Sequence, residues 1–161
     1  MPQKITPNLW FDTEAEDAAS FYTSIFENSR VVHVARYPEG APREAGSVMV
    51  VEWELDGQRF VGINGGPQFK FDEAVSFQIS CEDQDEVDYY WEKLTDGGEE
   101  GQCGWLKDRF GVSWQVTPKG MSELFGDPDP ERSRRAMDAM LKMRKLDIGE
   151  LRKAADGAPV S

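Results

Sequence analysis

The sequence predicts an α+β fold: two βαβββ modules whose curved sheets together form a half-barrel cavity, followed by C-terminal helices. Three observations carry this. A strand pattern, a helical stripe and further strand patterns occupy residues 1–70. The same order recurs over 71–126, about seventy residues on. From 127 to 161 the pattern turns helical. Neither half could bury both sides of its own sheet, so the modules are expected to pair within one domain spanning 1–126.

The first module opens with "KITPNLWFD" (4–12), a strand with Leu9 and Phe11 on one face and Thr6, Asn8 and Trp10 on the other. Thr13 and Glu16 form a capping-box pattern. The helix it starts carries Ala18, Phe21, Tyr22 and Ile25 at helical spacing. Strands are predicted at 30–37, 46–55 and 58–64, with Asp56-Gly57 as the tight turn between the last two. The second module begins at "AVSFQISCED", with Val75, Phe77, Ile79 and Cys81 on one face and Ser76, Gln78 and Ser80 on the other. Asp83 and Glu86 cap a helix bearing Val87, Tyr90, Trp91 and Leu94, which Gly97-Gly98 ends.

"CGWLKDRFGVSWQV" (103–116) reads as a hairpin that turns at 108–111. Val112, Trp114 and Val116 face the helix, so Ser113 and Gln115 face the cavity. Beyond Phe125, Asp129-Pro130 starts a helix expected to run to about Leu146. Its Met-rich stripe is suited to packing on the sheet or on a second subunit. Asp147 and Glu150 cap one more short helix before an Ala-Asp-Gly-Ala-Pro tail.

The formal charge of −12 argues against nucleic acid and anionic membranes as partners. Basic residues near the C-terminus, such as Arg132, Arg134 and Arg135, alternate with acids and suit a solvated helix face. There is neither a long apolar run nor a basic-then-apolar leader, which predicts a cytoplasmic protein. Cys81 and Cys103 form no C-x-x-C motif and are expected to be reduced thiols.

Each chemistry-bearing residue has a plain structural role to weigh against a functional one. His33 is the single histidine, set among Val31, Val32 and Val34 with no partner for triad chemistry. Cys81 suits core packing. Cys103 lies near the expected cavity mouth, where Lys107 or Arg109 could activate it. "INGGP" (63–67) reads as a turn, because no phosphate-loop lysine follows it. Trp114 belongs to the core. Trp10 and Trp105 are placed to line the cavity with Asn8, Gln78, Ser113 and Gln115, a lining suited to a small apolar or aromatic ligand.

The strings "ITPNLWFD", "EAEDAASFYTSIF", "NGGPQFKFDEAVSFQISCEDQDEVDYYWEKL", "CGWLKDRFGVSWQV" and "RAMDAMLKMRKLDIGELRKA" resemble the PhnB-like branch of the vicinal oxygen chelate (glyoxalase/bleomycin-resistance/dioxygenase) superfamily. The resemblance takes in the C-terminal helices. Its members often carry the label demethylubiquinone methyltransferase. It implies paired βαβββ modules, a homodimer, and a cavity that holds a divalent metal in catalytic relatives.

Matching strand faces puts the four metal-ligand places of those relatives at Thr6, Asn64, Ser76 and Gln115. Only Gln115 is of a ligand type used in the family, and amides with hydroxyls compensate a divalent charge poorly. The expectation is therefore no cofactor and metal-independent binding, with Asn64, Gln115 and Cys103 completing the candidate ligand set. The alternative is an enzyme, either a glyoxalase- or dioxygenase-like lyase or oxidoreductase or the labelled methyl transfer. Lysine, aspartate or cysteine near 103–108 would then act in acid–base or nucleophilic steps. No glycine-rich strand–loop–helix appears near the N-terminus, and the alternating parallel α/β pattern expected of an adenosylmethionine domain is absent from the sequence.

Overall fold

Both halves of the chain run strand, helix, then three strands. The computed structural model describes residues 3–157. The first half contains β1 (Asn8–Phe11), α1 (Ala15–Ile25), β2 (Arg30–Arg36), β3 (Val48–Leu55) and β4 (Gln58–Asn64). The second contains β5 (Ser76–Cys81), α2 (Gln84–Thr95), β6 (Glu99–Glu100), β7 (Trp105–Lys107) and β8 (Ser113–Pro118). Three helices follow, α3 (Met121–Phe125), α4 (Pro130–Met140) and α5 (Ile148–Ala155). The chain divides into two units, one ending at Phe71 and the other beginning at Asp72.

The units share one topology. The first sheet is ordered β1-β4-β3-β2 and the second β5-β8-β7-β6. In each, the first strand lies parallel to the last strand of its own module, and the remaining pairings are antiparallel. The repeat read from the sequence is thus a repeat of topology.

In the first unit, Leu9, Phe11, Val51, Trp53 and Phe60 are buried together with Ala15, Ala18, Ala19, Tyr22 and Ile25 of α1. The alanines let the helix approach the sheet, and the larger side chains each contribute about 1.5–3 kcal/mol by leaving water. Phe21, expected in this stripe, is only half-buried. Trp53 stacks on Phe60 with ring centroids 6.0 Å apart, and its buried Nε1 has no hydrogen-bond partner among the described residues. Asp56 and Gly57 both adopt positive φ, the geometry of the two-residue hairpin turn expected there.

Helix starts divide into those the local sequence controls and one it does not. The Asp83 side chain accepts from Glu86 N, Asp129 from Glu131 N, and Asp147 from Glu150 N, as expected. The Thr13–Glu16 capping box does not form. Glu14 takes the cap position of α1 without a side-chain cap. The acceptor comes instead from the end of β4, where Asn64 Oδ1 accepts from Ala15 N at 2.9 Å. Asn64 Nδ2 donates to Val48 O at 3.1 Å, and the Asn64 carbonyl accepts from the Tyr37 hydroxyl. A tertiary contact here replaces the local motif.

In the second unit, Val87, Trp91 and Leu94 of α2 pack with Cys81, Leu106, Val112, Trp114 and Val116. Val75, expected on the core face, precedes β5 and is 68% exposed. The β7–β8 turn closes on Asp108, which is 3% exposed. Its Oδ1 accepts from Phe110 N at 2.8 Å and Val112 N at 3.1 Å, and its Oδ2 from Trp114 Nε1 at 2.9 Å.

The helix expected to reach Leu146 stops at Met140. The following carbonyls serve tertiary bonds: Met143 O accepts from Cys103 N and Arg144 O from Gly104 N, both at 2.8 Å. Gln84 clasps the same segment, donating to Leu146 O at 3.0 Å and accepting from Ile148 N at 2.8 Å. The short helix α3 was not foreseen. Helix α4 packs on α3 and α5 and buries Ala136, while Met137 and Leu141 of the Met-rich stripe stay 39% and 57% exposed. The expected tail is shortened, since α5 continues to a buried Ala155; Ala158 and Pro159 lie outside the described residues. Among the described residues no helix is long and apolar enough to cross a membrane.

Two substitutions test these anchors. Asn64→Ala should cost about 2 kcal/mol, because it removes the acceptor that caps α1 and the donor to Val48 O together. Asp108→Ala should cost about 3 kcal/mol, since buried donors lose a charged acceptor. Urea unfolding measures both, and a loss below about 0.5 kcal/mol at either site would show that water replaces the lost bonds.

Candidate functional site

The register of the second sheet sorts its side chains into two faces. Trp114 and Val116 face α2. On the other face, Gln78 pairs with Gln115 and Gln115 with Trp105, making one row across β5, β8 and β7. The adjacent row runs Ser76, Ser113, Lys107 and Glu99. Four of the candidate residues, Gln78, Trp105, Ser113 and Gln115, therefore share one face. Gln115 Nε2 donates to Ser76 Oγ at 2.9 Å, joining the two rows. Ser113 is buried and donates a long bond of 3.4 Å to Asp72 O.

A concavity of about 460 Å³ opens at the β6–β7 end of this face, with Glu73, Glu99, Gly101, Trp105, Lys107 and Ser113 among its walls. Lys107 bonds to Glu73. That hydrogen bond, reinforced by the charges of Glu99 and Asp72, holds the Lys107 ammonium above its ordinary range, while Glu73 is held below its own. Glu100, at the rim, accepts from Trp91 Nε1 at 2.7 Å and faces Arg144 at 3.6 Å. Glu73 and Glu99 were missed in the sequence reading. The only signal for Glu99 is its position opposite Lys107, which the register supplies.

The remaining candidates fall elsewhere. Cys103 is half-buried in the left-handed region, its N–H bonded to Met143 O, and it is not among the lining residues. Asn8 is exposed and bonds to Thr6 O at 3.0 Å. Trp10 lies on the same face of the first sheet as Asn8 and donates to Gly66 O at 2.9 Å. Its ring packs where a Cβ on Gly65 would come within 2.1 Å and meets Phe69 edge-on at 5.0 Å. "INGGP" is thus a turn shaped to an indole. Asn64, 4% exposed, lies on the opposite face of that sheet, where its amide is used by the α1 cap.

Other reactive groups are accounted for. His33 is exposed on the edge strand β2. Burial pushes the Cys81 thiol up to about 12, with Glu86 and Asp83 adding to it, which leaves it an inert core group. Asp108, a candidate acid–base group, is instead the buried anchor of the hairpin.

The metal site that the fold family implies can be tested on these donors. Of the four matched places, Asn64 faces the helix, Ser76 and Gln115 bond to each other, and Thr6 offers a hydroxyl. No group of three or more His, Cys, Asp or Glu residues suited to a metal ion occurs among the described residues. This set does not fit a divalent cation, which needs several charged oxygens or imidazoles.

Comparison with curated proteins finds no match. Among solved structures, the PhnB protein from Bacillus cereus is 38% identical over 72% of this chain and 99% of its own, with a TM-score of 0.67. Protein PA1353 from Pseudomonas aeruginosa is 18% identical, covering 73% of this chain and 98% of its own at a TM-score of 0.60. The fosfomycin resistance protein FosX from Listeria monocytogenes is 16% identical, covering 76% and 96% at 0.54. The last two show a shared fold alone. The family model described as 3-demethylubiquinone-9 3-methyltransferase matches residues 3–117, so the C-terminal helices, which the sequence resemblance takes in, lie outside the matched span. With this match and the Bacillus cereus relative together, the chain belongs to the 3-demethylubiquinone-9 3-methyltransferase family, the PhnB-like branch of the vicinal oxygen chelate superfamily.

Proposed function

We propose that the protein binds a small planar, largely apolar or aromatic molecule without a metal, on the Trp105 face of its second sheet. The observation that carries this is the row Gln78–Gln115–Trp105, a neutral amide pair ending on an indole beside a concavity. An aromatic wall with few polar groups suits such ligands, because the ring supplies apolar contact and the amides fix orientation. Ser113, which is buried, is among the lining residues. Asn8 and Trp10 present the corresponding face of the first sheet and remain candidates there. Asn64 drops out of the reading because its amide serves the α1 cap, and Cys103 because it is not among the residues that line the concavity. The reading retains the homodimer that the resemblance implies.

Catalysis is the second reading, and the family description favours methyl transfer within it. The mixed sheets with their antiparallel hairpins differ from the doubly wound parallel sheet that commonly holds a nucleotide-bearing cofactor, which supports ranking binding first.

Indole is the simplest probe. Calorimetry should detect its binding, Trp105→Ala should weaken it at least about ten-fold, and Gln115→Ala should weaken it a few-fold while the urea midpoint holds. An unaltered affinity in Trp105→Ala would remove the site. Elemental analysis of protein purified without chelator should find no stoichiometric metal, and one equivalent of Zn, Ni, Mn or Fe would reverse the reading. Stoichiometric binding of adenosylmethionine would favour the methyl-transfer alternative.

A further inference from the structure

The charges around the Trp105 concavity do not cancel. Three carboxylates line it, Glu73, Glu99 and Glu100, against one ammonium, Lys107. Glu73 is taken up by Lys107. Glu100 is taken up by Trp91 and Arg144. Glu99 sits opposite Lys107 in the β6–β7 pairing and acts on that ammonium electrostatically, but no hydrogen bond holds its carboxylate among the described residues. Once the pairs are made, one negative charge faces the concavity uncompensated. An independent feature points the same way: the indole of Trp105 lines the same space, and the electron-rich face of an indole attracts cations.

Resting on the binding reading above, we infer that this concavity selects organic cations, of which an amine-bearing aromatic molecule is the best fit. Its ammonium lies between Glu99 and the Trp105 ring, and its apolar body fills the remaining space. An anion would meet the Glu99 charge and would have to draw Lys107 away from Glu73. A neutral analogue gains nothing from Glu99.

A set of indole probes that differ in side chain and charge separates these cases. Indole, tryptamine (protonated at pH 7) and indole-3-propionate (ionised at pH 7) are titrated calorimetrically into the full chain at low salt. Tryptamine should bind about ten-fold tighter than indole-3-propionate, the effect of one favourable against one unfavourable charge in a partly exposed site. Its advantage over indole should shrink several-fold in Glu99→Gln and on adding salt. Equal or tighter binding of the propionate overturns the inference, as does a tryptamine preference that survives Glu99→Gln. Should indole bind in a Trp105-dependent way with no gain for the cation, charge selection alone falls. Should none of the three bind, the binding reading falls with it.

Discussion

A carboxylate that is 3% exposed is tolerable only when its oxygens are used, because desolvation without hydrogen bonds costs several kcal/mol. Asp108 meets that condition by taking two backbone N–H groups from its own turn and the indole N–H of Trp114 from the returning strand. These bonds fix where the chain reverses. The reversal point fixes the β7–β8 register, and a slip of one residue would send every side chain of β8 to the opposite face. Trp105 stands across from Gln115, and Lys107 from Ser113, because the turn is pinned at Asp108. The candidate site is thus a consequence of a buried acid whose oxygens hold the turn and the Trp114 indole.

The first unit solves a comparable problem with a neutral group. Asn64 ends β4 on the helix-facing side and satisfies an orphan donor of α1 with one end of its amide and a β3 carbonyl with the other. Two modules of one topology therefore hold their loops by different polar anchors. In the second unit the helix start is capped locally by Asp83, which leaves the end of β8 free of that task. There Pro118 ends the strand and the chain passes on to α3. This difference also removes Asn64 from the four matched metal places, because its amide is spent on the cap of α1.

Much of the fold was legible because it rests on local rules. Alternation in β1 and β8, the Asp-Gly turn, and the caps at Asp83, Asp129 and Asp147 all involve residues within a few positions of one another. Asn64 was misplaced for want of a count by twos. Phe60, Gly62 and Asn64 share one face of β4, so a buried Phe60 already puts Asn64 towards the helix. The α4 end was illegible for a different reason. Residues 141–146 are good helix formers by composition, yet their carbonyls bond to Cys103, Gly104 and Gln84, and tertiary bonds override weak propensity. Within the site, the shared face of Gln78, Ser113 and Gln115 was readable. The carboxylate of Glu99 was not, because its place depends on how a two-residue strand pairs.

That last case bears on how net charge is read. A formal charge of −12 describes the chain as a whole and says nothing about any one cavity. Many of the acids are consumed in pairs that hold elements together, such as Asp88 with Lys145, Glu100 with Arg144 and Asp127 with Arg132. Exposed pairs of this kind add little stability, but they remove charge from the local balance. What a ligand meets is the remainder after pairing, and in the Trp105 concavity that remainder is Glu99. The cation selectivity proposed above would follow from this one carboxylate beside an indole, and it would persist if the rest of the surface were made neutral.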